Sequence, residues 1–345
     1  MSINTVASGT NNPPEHSSST ATAHSSSENV ATPPADSTPR AAQPFLAAAA
    51  TPTTASEGGT AEQIILPPAS CAQLEEILAG CRRVVFFTGA GISQESGIPV
   101  YRNDDTGLWE NVNPEELASI ASWRNDPAPM WAWSMLRART AANATPNAAH
   151  QAIGRLAADG NVAVTVVTQN IDDLHERGIT MFCPPEHATY PALLHVHGSL
   201  FHFRCTDCGQ PPAVAPVIPP QVTARRLAPP VCDCGGVIRP GVVWFGEPLD
   251  EEIMEQAATA MRLADVVIIV GTSGVVMPAC QLPLIAHNRG IPLVEISPQP
   301  TAFTPLVDVH VATTAGRGIP AVVDLLLADA PHATPPPPVT GTADR

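Results

Sequence analysis

The sequence predicts an α/β fold: a doubly wound parallel sheet with a smaller, cysteine-bearing domain inserted between two of its strands. Two observations lead there. Five short runs, "RVVFF" (83–87), "VAVTVV" (162–167), "DVVIIV" (265–270), "PLVEI" (292–296) and "DVHVA" (308–312), alternate with stretches of helical periodicity. Continuous β-branched and aromatic runs separated by helices suit a sheet covered on both faces. The region 195–245 breaks that alternation and carries four cysteines in two tight pairs, so it reads as the insert.

In chain order, residues 1–62 are dominated by Ser, Thr, Ala, Pro, Asn and Gly. Such a stretch buries too little apolar surface to offset the entropy of ordering, and it is expected to be a low-complexity tail. Residues 63–329 form the folded part, and 330–345 a short Pro-rich tail. "CAQLEEILAG" puts Leu74, Ile77 and Leu78 on one helical face and stops at Gly80. The first strand then runs into "TGAGIS", the second into "TQNID", the third into "GTSG" and the fourth into "SPQ". Between them "DEEIMEQAATAMRLA" opens on an acidic turn and continues with helical spacing. One polar strand end is a turn. Four together describe a ligand crevice beyond the carboxyl edge of the sheet.

Composition narrows the chemistry. The net charge of −15 disfavours a general nucleic-acid binder and suits a basic peptide partner. All 17 cationic side chains are Arg and none is Lys, so no internal lysine serves as Schiff base or acyl acceptor. No apolar run reaches membrane-spanning length, and the start lacks the basic and apolar regions of a signal peptide. Four of the eight cysteines are scattered, which favours a reducing, cytoplasmic setting over a disulfide framework.

Three constellations carry chemistry. "CTDCG" and "CDCGG" place Cys205 and Cys208 well ahead of Cys232 and Cys234, two thiol pairs of the kind that build a closed tetrahedral zinc site. Four thiolates leave no open position, so this zinc is structural, although the second pair has one intervening residue instead of two. "GAGIS" (89–93), directly after a strand, permits close backbone approach to a diphosphate, and it also fits a turn that serves packing alone. "LLHVHGSL" holds two histidines beside the crevice, where one can act as a general base near neutral pH or be structural.

In this order, "GAGISQESGIPVYR", "TQNIDDLHER", "HVHGSL", the four cysteines, "RPGVVWFGE" and "GTSG" resemble the sirtuins, NAD-dependent protein-lysine deacylases, and bacterial members in particular. The resemblance spans 63–329 and implies an inverted-Rossmann large domain with a small zinc module at about 198–240. It implies that Gly89, Ala90, Gly91, Ile92 and Ser93 wrap the NAD diphosphate, with Tyr101 and Arg102 in a cofactor loop. Gln169, Asn170, Ile171 and Asp172 would meet the nicotinamide ribose and carboxamide. Gly271, Thr272, Ser273, Ser297 and Ala315 would meet the phosphate and adenosine. Val243, Trp244, Phe245 and Gly246, with Val276, would sandwich an acyl-lysine peptide as an added strand. The implied catalytic residues are His197, Asn170 and Asp172, with His197 the base and His195 its less critical neighbour. The implied reaction lets the acyl-lysine oxygen displace nicotinamide and ends in lysine and O-acyl-ADP-ribose. Mono-ADP-ribosyl transfer and a non-catalytic NAD sensor are the rival functions.

The sequence departs from that pattern in four places. Tyr101 replaces the usual Phe before Arg102, and Ser297 replaces an adenosine-binding Asn. The segment between Arg177 and His195 is longer than usual and reads as a tolerated surface insertion. Finally, relatives that grip acidic acyl chains carry Tyr-x-x-Arg on a helix; here Arg137 is present but the Tyr position is Ser134. Acetyl-lysine is therefore the expected substrate. Asp104 and Asp105 in the cofactor loop point the same way.

Overall fold

Six of the strands form one parallel sheet, in the order β3-β2-β1-β6-β7-β8, in a computed structural model that describes residues 68–99, 114–188 and 190–328. They are β1 (Arg83–Thr88), β2 (Ala163–Thr168), β3 (Ala192–His195), β6 (Val266–Val270), β7 (Leu293–Ile296) and β8 (Val309–Val311). Five match the runs read from the sequence to within a residue or two. The sixth, β3, was hidden in the stretch read as loop and histidine motif. It is a half-exposed edge strand of four residues and lacks the continuous apolar signature.

Alternation along the strands decides which helices cover which face. Val84, Phe86, Val166, Val266 and Ile268 point into a core closed by α1 (Pro68–Leu78), α5 (Ala148–Asp159), α6 (Leu174–Thr180) and α9 (Ala315–Ala328). Val85, Phe87, Val167, Val267 and Ile269 point the other way, toward α7 (Glu251–Leu263) and α8 (Leu282–His287). Each fully buried side chain of this size contributes about 1.5–3 kcal/mol. Truncating either Phe86 or Phe87, both fully buried, to Ala should cost about 3–5 kcal/mol.

Helix ends follow local chemistry. Asp250 accepts the Glu252 and Ile253 N–H groups at the start of α7. Asn147 caps α5 by accepting the Ala149 N–H at 3.0 Å, and its amide donates to the Ile92 carbonyl at 2.7 Å. One side chain thus starts a helix and fixes the turn after β1.

The inserted region has two parts. An antiparallel pair, β4 (Gly198–Cys205) and β5 (Ile238–Val242), carries the cysteines. Against it pack α2 (Pro114–Leu117), α3 (Ile120–Asn125) and α4 (Pro127–Asn143) through a cluster that joins Trp123, Trp131 and Met135 to Leu200, Val242 and Trp244. These helices pack on the region expected to form the small module, about 198–240. Of the segment after Arg177, Gly178–Thr180 finish α6 and Ala192–His195 form β3; of residues 181–188 between them only Cys183 is buried and the others are exposed. The expected tails, 1–62 and 330–345, lie outside the described residues.

Candidate functional site

The strand order reverses between β1 and β6, and there two chain turns come close enough to exclude side chains. The Gly89 N–H donates to the Val270 carbonyl at 3.0 Å and the Gly91 N–H to the Gly271 carbonyl at 2.8 Å. A Cβ on Gly91 would stand 2.6 Å from the Gly271 Cα, and Gly271 has φ +58. Glycine is required on both sides of this contact, which lies at the switch point where open α/β sheets place their ligand crevice. The turn Ala90–Ser96 follows, with Ile92 and Ser93 buried; Ile92 belongs to the core and Ser93 faces the next strand end.

The end of β2 supplies that partner. The Ser93 hydroxyl donates to an Asp172 carboxylate oxygen at 2.9 Å and accepts the Asn170 amide at 3.0 Å. The other Asp172 oxygen accepts the Leu174 N–H at 3.1 Å. Burial pushes the Asp172 pKa up, against the pull of those two donors. Gln169 reaches across the switch point and donates to the Thr272 hydroxyl at 2.8 Å, joining the ends of β2 and β6. Beneath them Thr88, Thr168 and the buried His175 form a chain: the Thr88 hydroxyl donates to Thr168 at 2.8 Å and lies 2.9 Å from His175 Nε2. Ile171 differs: its carbonyl accepts the Leu200 N–H, and its side chain packs on the small-domain cluster.

His195 and His197 have identical side chains and opposite surroundings. Both ring nitrogens of His195 face acceptors, Nδ1 the Asn170 carbonyl at 3.0 Å and Nε2 the Glu176 carboxylate at 2.8 Å. That geometry calls for a proton on each nitrogen. Burial opposes the charge, but Glu176 outweighs it and the His195 pKa is raised. His197 donates from Nδ1 to the Gln169 carbonyl at 3.0 Å, which fixes the tautomer and leaves Nε2 its basic nitrogen. Burial pushes its pKa below the usual 6.5, against the Gln169 contact, so the ring is neutral at pH 7. A neutral imidazole with an oriented Nε2 is what a general base requires.

The next residue, Gly198, has φ +73, and a Cβ there would stand 1.9 Å from the Gly241 carbonyl. The segment after β5, "VWFGE", is pinned from beneath. Arg239 grips Glu247 through two bonds of 2.6 and 2.7 Å, and Glu247 also accepts the Trp244 N–H at 2.9 Å. The Arg239 guanidinium lies 3.5 Å from the Trp244 ring centre, while Trp123 stacks beside that ring at 4.8 Å. Burial disfavours the Glu247 carboxylate, yet Arg239 holds its pKa below the ordinary value. Phe245 and Gly246 remain exposed, Val243 and Val276 are half-buried. Glu176, Arg239 and Glu247 were inside recognised motifs without assigned roles. Spacing alone carries no sign of these partnerships.

Ser297 and Ala315 are buried at the far end of the crevice edge, Ser297 donating to the Gln299 carbonyl at 2.7 Å. Gly271 is half-buried, Thr272 buried and Ser273 exposed. Ser134 is buried on α4, and Arg137, one turn on, lays its guanidinium 4.7 Å from the Trp133 ring centre. Tyr101, Arg102, Asp104 and Asp105 lie outside the described residues.

Cys205, Cys208, Cys232 and Cys234 come together with all four sulfurs within 4.8 Å of one another. A zinc–thiolate tetrahedron has sulfur–sulfur edges of about 3.8 Å, and the pairs Cys205–Cys234 and Cys208–Cys232 stand at 3.5 and 3.8 Å. The Asp207 N–H donates to the Cys205 sulfur at 3.4 Å, and a Cβ on Gly236 would approach that sulfur to 2.7 Å. The short spacing of the second pair is no obstacle. The four thiols fit a structural zinc.

The fold and crevice define a doubly wound, nucleotide-binding α/β protein with a thiol-stapled module. The sequence profile of the Sir2 family matches residues 89–278. The "NAD-dependent protein deacylase" of Corynebacterium glutamicum is 48% identical over 250 residues, covering 72% of this chain and 93% of that protein. The protein of the same name from Mycobacterium tuberculosis is 43% identical over 245 residues, 71% of this chain and 98% of its own. Among solved structures, a Sir2 homologue in complex with NAD superposes with a TM-score of 0.65 at 40% identity, covering 75% of this chain and 95% of that one. The chain belongs to the Sir2 family.

Proposed function

We propose that this protein is an NAD-dependent protein-lysine deacylase, that NAD occupies the crevice above Gly89–Ser93 and Gly271–Ser273, and that acetyl-lysine is its favoured substrate. The observation that carries the site assignment is His197, a neutral imidazole with its tautomer set at the mouth of a glycine-lined crevice. Relatives named as NAD-dependent protein deacylases at 41–48% identity support the activity. A Sir2 protein at 27% identity and TM-score 0.61, bound to a deacetylated p53 peptide and 3'-O-acetyl ADP-ribose, supports an acylated protein as the partner.

NAD supplies a ribose that loses nicotinamide and takes up the acyl group. The residues of this chain do the rest. The close-packed glycines admit a diphosphate to the backbone N–H groups of the turn after β1. Asn170 and Asp172, held by Ser93, present an amide and a carboxyl group where the nicotinamide end of the cofactor belongs. Gln169 and Thr272 close the floor. His197 Nε2 accepts the ribose hydroxyl proton while its Nδ1 stays bonded to Gln169. The 243–246 segment and Val276 receive the peptide, with the acyl-lysine stem shielded from water between them.

Acetyl preference rests on α4. Arg137 offers a guanidinium for an acidic acyl chain, but Ser134 has no ring to wall the pocket and no phenol to share the charge. The zinc is structural, since four thiolates complete its tetrahedron. A cytoplasmic location is supported by four scattered cysteines that form no disulfide among the described residues, and the net charge of −15 opposes nucleic acid as a partner. Among the described residues no helix is long and apolar enough to cross a membrane.

The decisive experiment mixes protein, NAD and an acetyl-lysine peptide and measures nicotinamide, peptide mass and protein mass. Peptide-dependent nicotinamide release with loss of the acetyl group is expected. Nicotinamide release with a mass gain on protein instead would mean ADP-ribosyl transfer, and no release at all would mean a sensor.

A further inference from the structure

Glu295 sits in the middle of β7, 1% exposed, on a strand otherwise made of Leu, Val and Ile. Its carboxyl group has two hydroxyl donors, Thr301 and Thr304, the second at 2.5 Å. Both threonines are used twice. The Thr301 oxygen also accepts the Phe303 N–H at 3.0 Å, and the Thr304 oxygen accepts the Thr301 N–H at 2.8 Å. One buried carboxyl group therefore folds the segment from Thr301 to Thr304 into a fixed turn.

That turn leans on the crevice. The Ala302 N–H donates to the Ser273 carbonyl at 3.3 Å, and the Phe303 ring packs so closely on Gly274 that a Cβ there would meet it at 2.9 Å. Phe303 is itself wedged edge-on against Phe87 of β1, ring centres 6.2 Å apart. The turn Gly271–Ser273 is thus supported from behind by a segment that Glu295 organises. Burying a carboxyl group in a strand centre is costly unless its hydrogen bonds are made. A leucine or valine would serve packing alone.

We propose that Glu295 is a positioning residue for the cofactor: through Thr301 and Thr304 it fixes the support of the Gly271–Ser273 turn and so sets the affinity for NAD. It touches neither the reacting atoms nor the peptide. The inference rests on the reading that this turn meets NAD.

The test compares Glu295→Ala, Glu295→Gln, Thr301→Val and Ser273→Ala for KM of NAD, KM of an acetyl-lysine peptide, kcat, and melting temperature without NAD. Glu295→Ala and Thr301→Val should raise KM for NAD about tenfold while kcat and peptide KM stay within about twofold. Glu295→Gln, which keeps the shape and can bond both hydroxyls, should recover most of the loss. A merely structural role would lower the melting temperature and leave KM for NAD alone, or shift all constants together; either result overturns the proposal. Thr301→Val keeps the test open if Glu295→Ala does not fold. If Ser273→Ala weakens NAD binding and the other variants do not, the support role fails by itself. If Ser273→Ala has no effect on NAD, the cofactor reading of this turn fails and the inference falls with it.

Discussion

The crevice and the cysteine module both concentrate polar side chains, for opposite purposes. Around the crevice, Ser93, Gln169, Asn170, Asp172 and His197 bond to one another above strands whose apolar cores are already closed on both faces. Remove one and the sheet remains. In the module, the strand pair is packed on α2–α4 through its own apolar cluster, but the four cysteines lie outside that cluster, and the chain between Cys208 and Cys232 leaves Val214 and Val217 82% and 85% exposed. At that end a two-stranded pair with little apolar cover is marginal in water, so the thiols and their metal hold it. Polar residues over a finished core are available for chemistry; polar residues beyond the reach of a core are needed for structure.

The comparison breaks most visibly at the base. His197→Ala should lower kcat/KM for deacylation by about 100- to 10,000-fold with NAD binding and melting temperature nearly unchanged. His195→Ala should lose far less rate. Equal losses for both variants would erase the distinction drawn from their hydrogen bonds. The module should respond the other way. Metal analysis should find about one zinc per chain, and Cys205→Ala should release it and lower the melting temperature by roughly 5 °C or more. Full stability without metal would show that the apolar cluster shared with α2–α4 holds the cysteine end by itself.

Acid should separate the regions by pH. His150 and His175 are buried neutral on the sheet face beneath the crevice, His150 with its pKa near 3 and His175 well below 6.5 through burial. Unfolding lets each take a proton at its usual 6.5, so stability is lost as pH falls through the window from 6.5 toward the folded value. Each should contribute a slope of about 1.4 kcal/mol per pH unit there. The deacylation rate should fall below pH 6.5 as well, as His197 titrates from its lowered pKa. Denaturant melts between pH 4 and 7 and a kcat/KM profile at pH values where the protein is folded check the two effects; a rate limb lying above 6.5 would contradict the burial of His197. The smallest effect belongs to the acyl end. Ser134→Tyr should shift the succinyl-to-acetyl ratio of kcat/KM toward succinyl by about tenfold. A wild-type preference for succinyl-lysine would show that Arg137 suffices alone.

Much of this was legible in the residues. Strands buried on both faces announce themselves by continuous β-branched runs, and the polar residues that end four of them mark the crevice. The edge strand Ala192–His195 was not legible, because half-exposed strands mix polarity. Nor was the alliance of Trp123 and Trp131 with Leu200 and Trp244, since contacts between segments some hundred residues apart leave no local period. Two histidines two residues apart are equivalent as letters. Only Glu176 and the carbonyls of Asn170 and Gln169 push one pKa up and leave the other ring neutral with a free Nε2.

One consequence concerns mechanics. β3 ends at His195 and β4 begins at Gly198, so one crossing from the sheet to the module is only two residues long, Val196 and His197. Val196 donates to the Thr168 carbonyl at 3.0 Å and His197 to that of Gln169 at 3.0 Å, so this crossing is riveted to β2 and has no slack. At this crossing the module cannot shift along β2 without breaking one of these two bonds. The proposed base is therefore held to the sheet by the same backbone contact that sets its tautomer, so its position and its proton are governed by one bond.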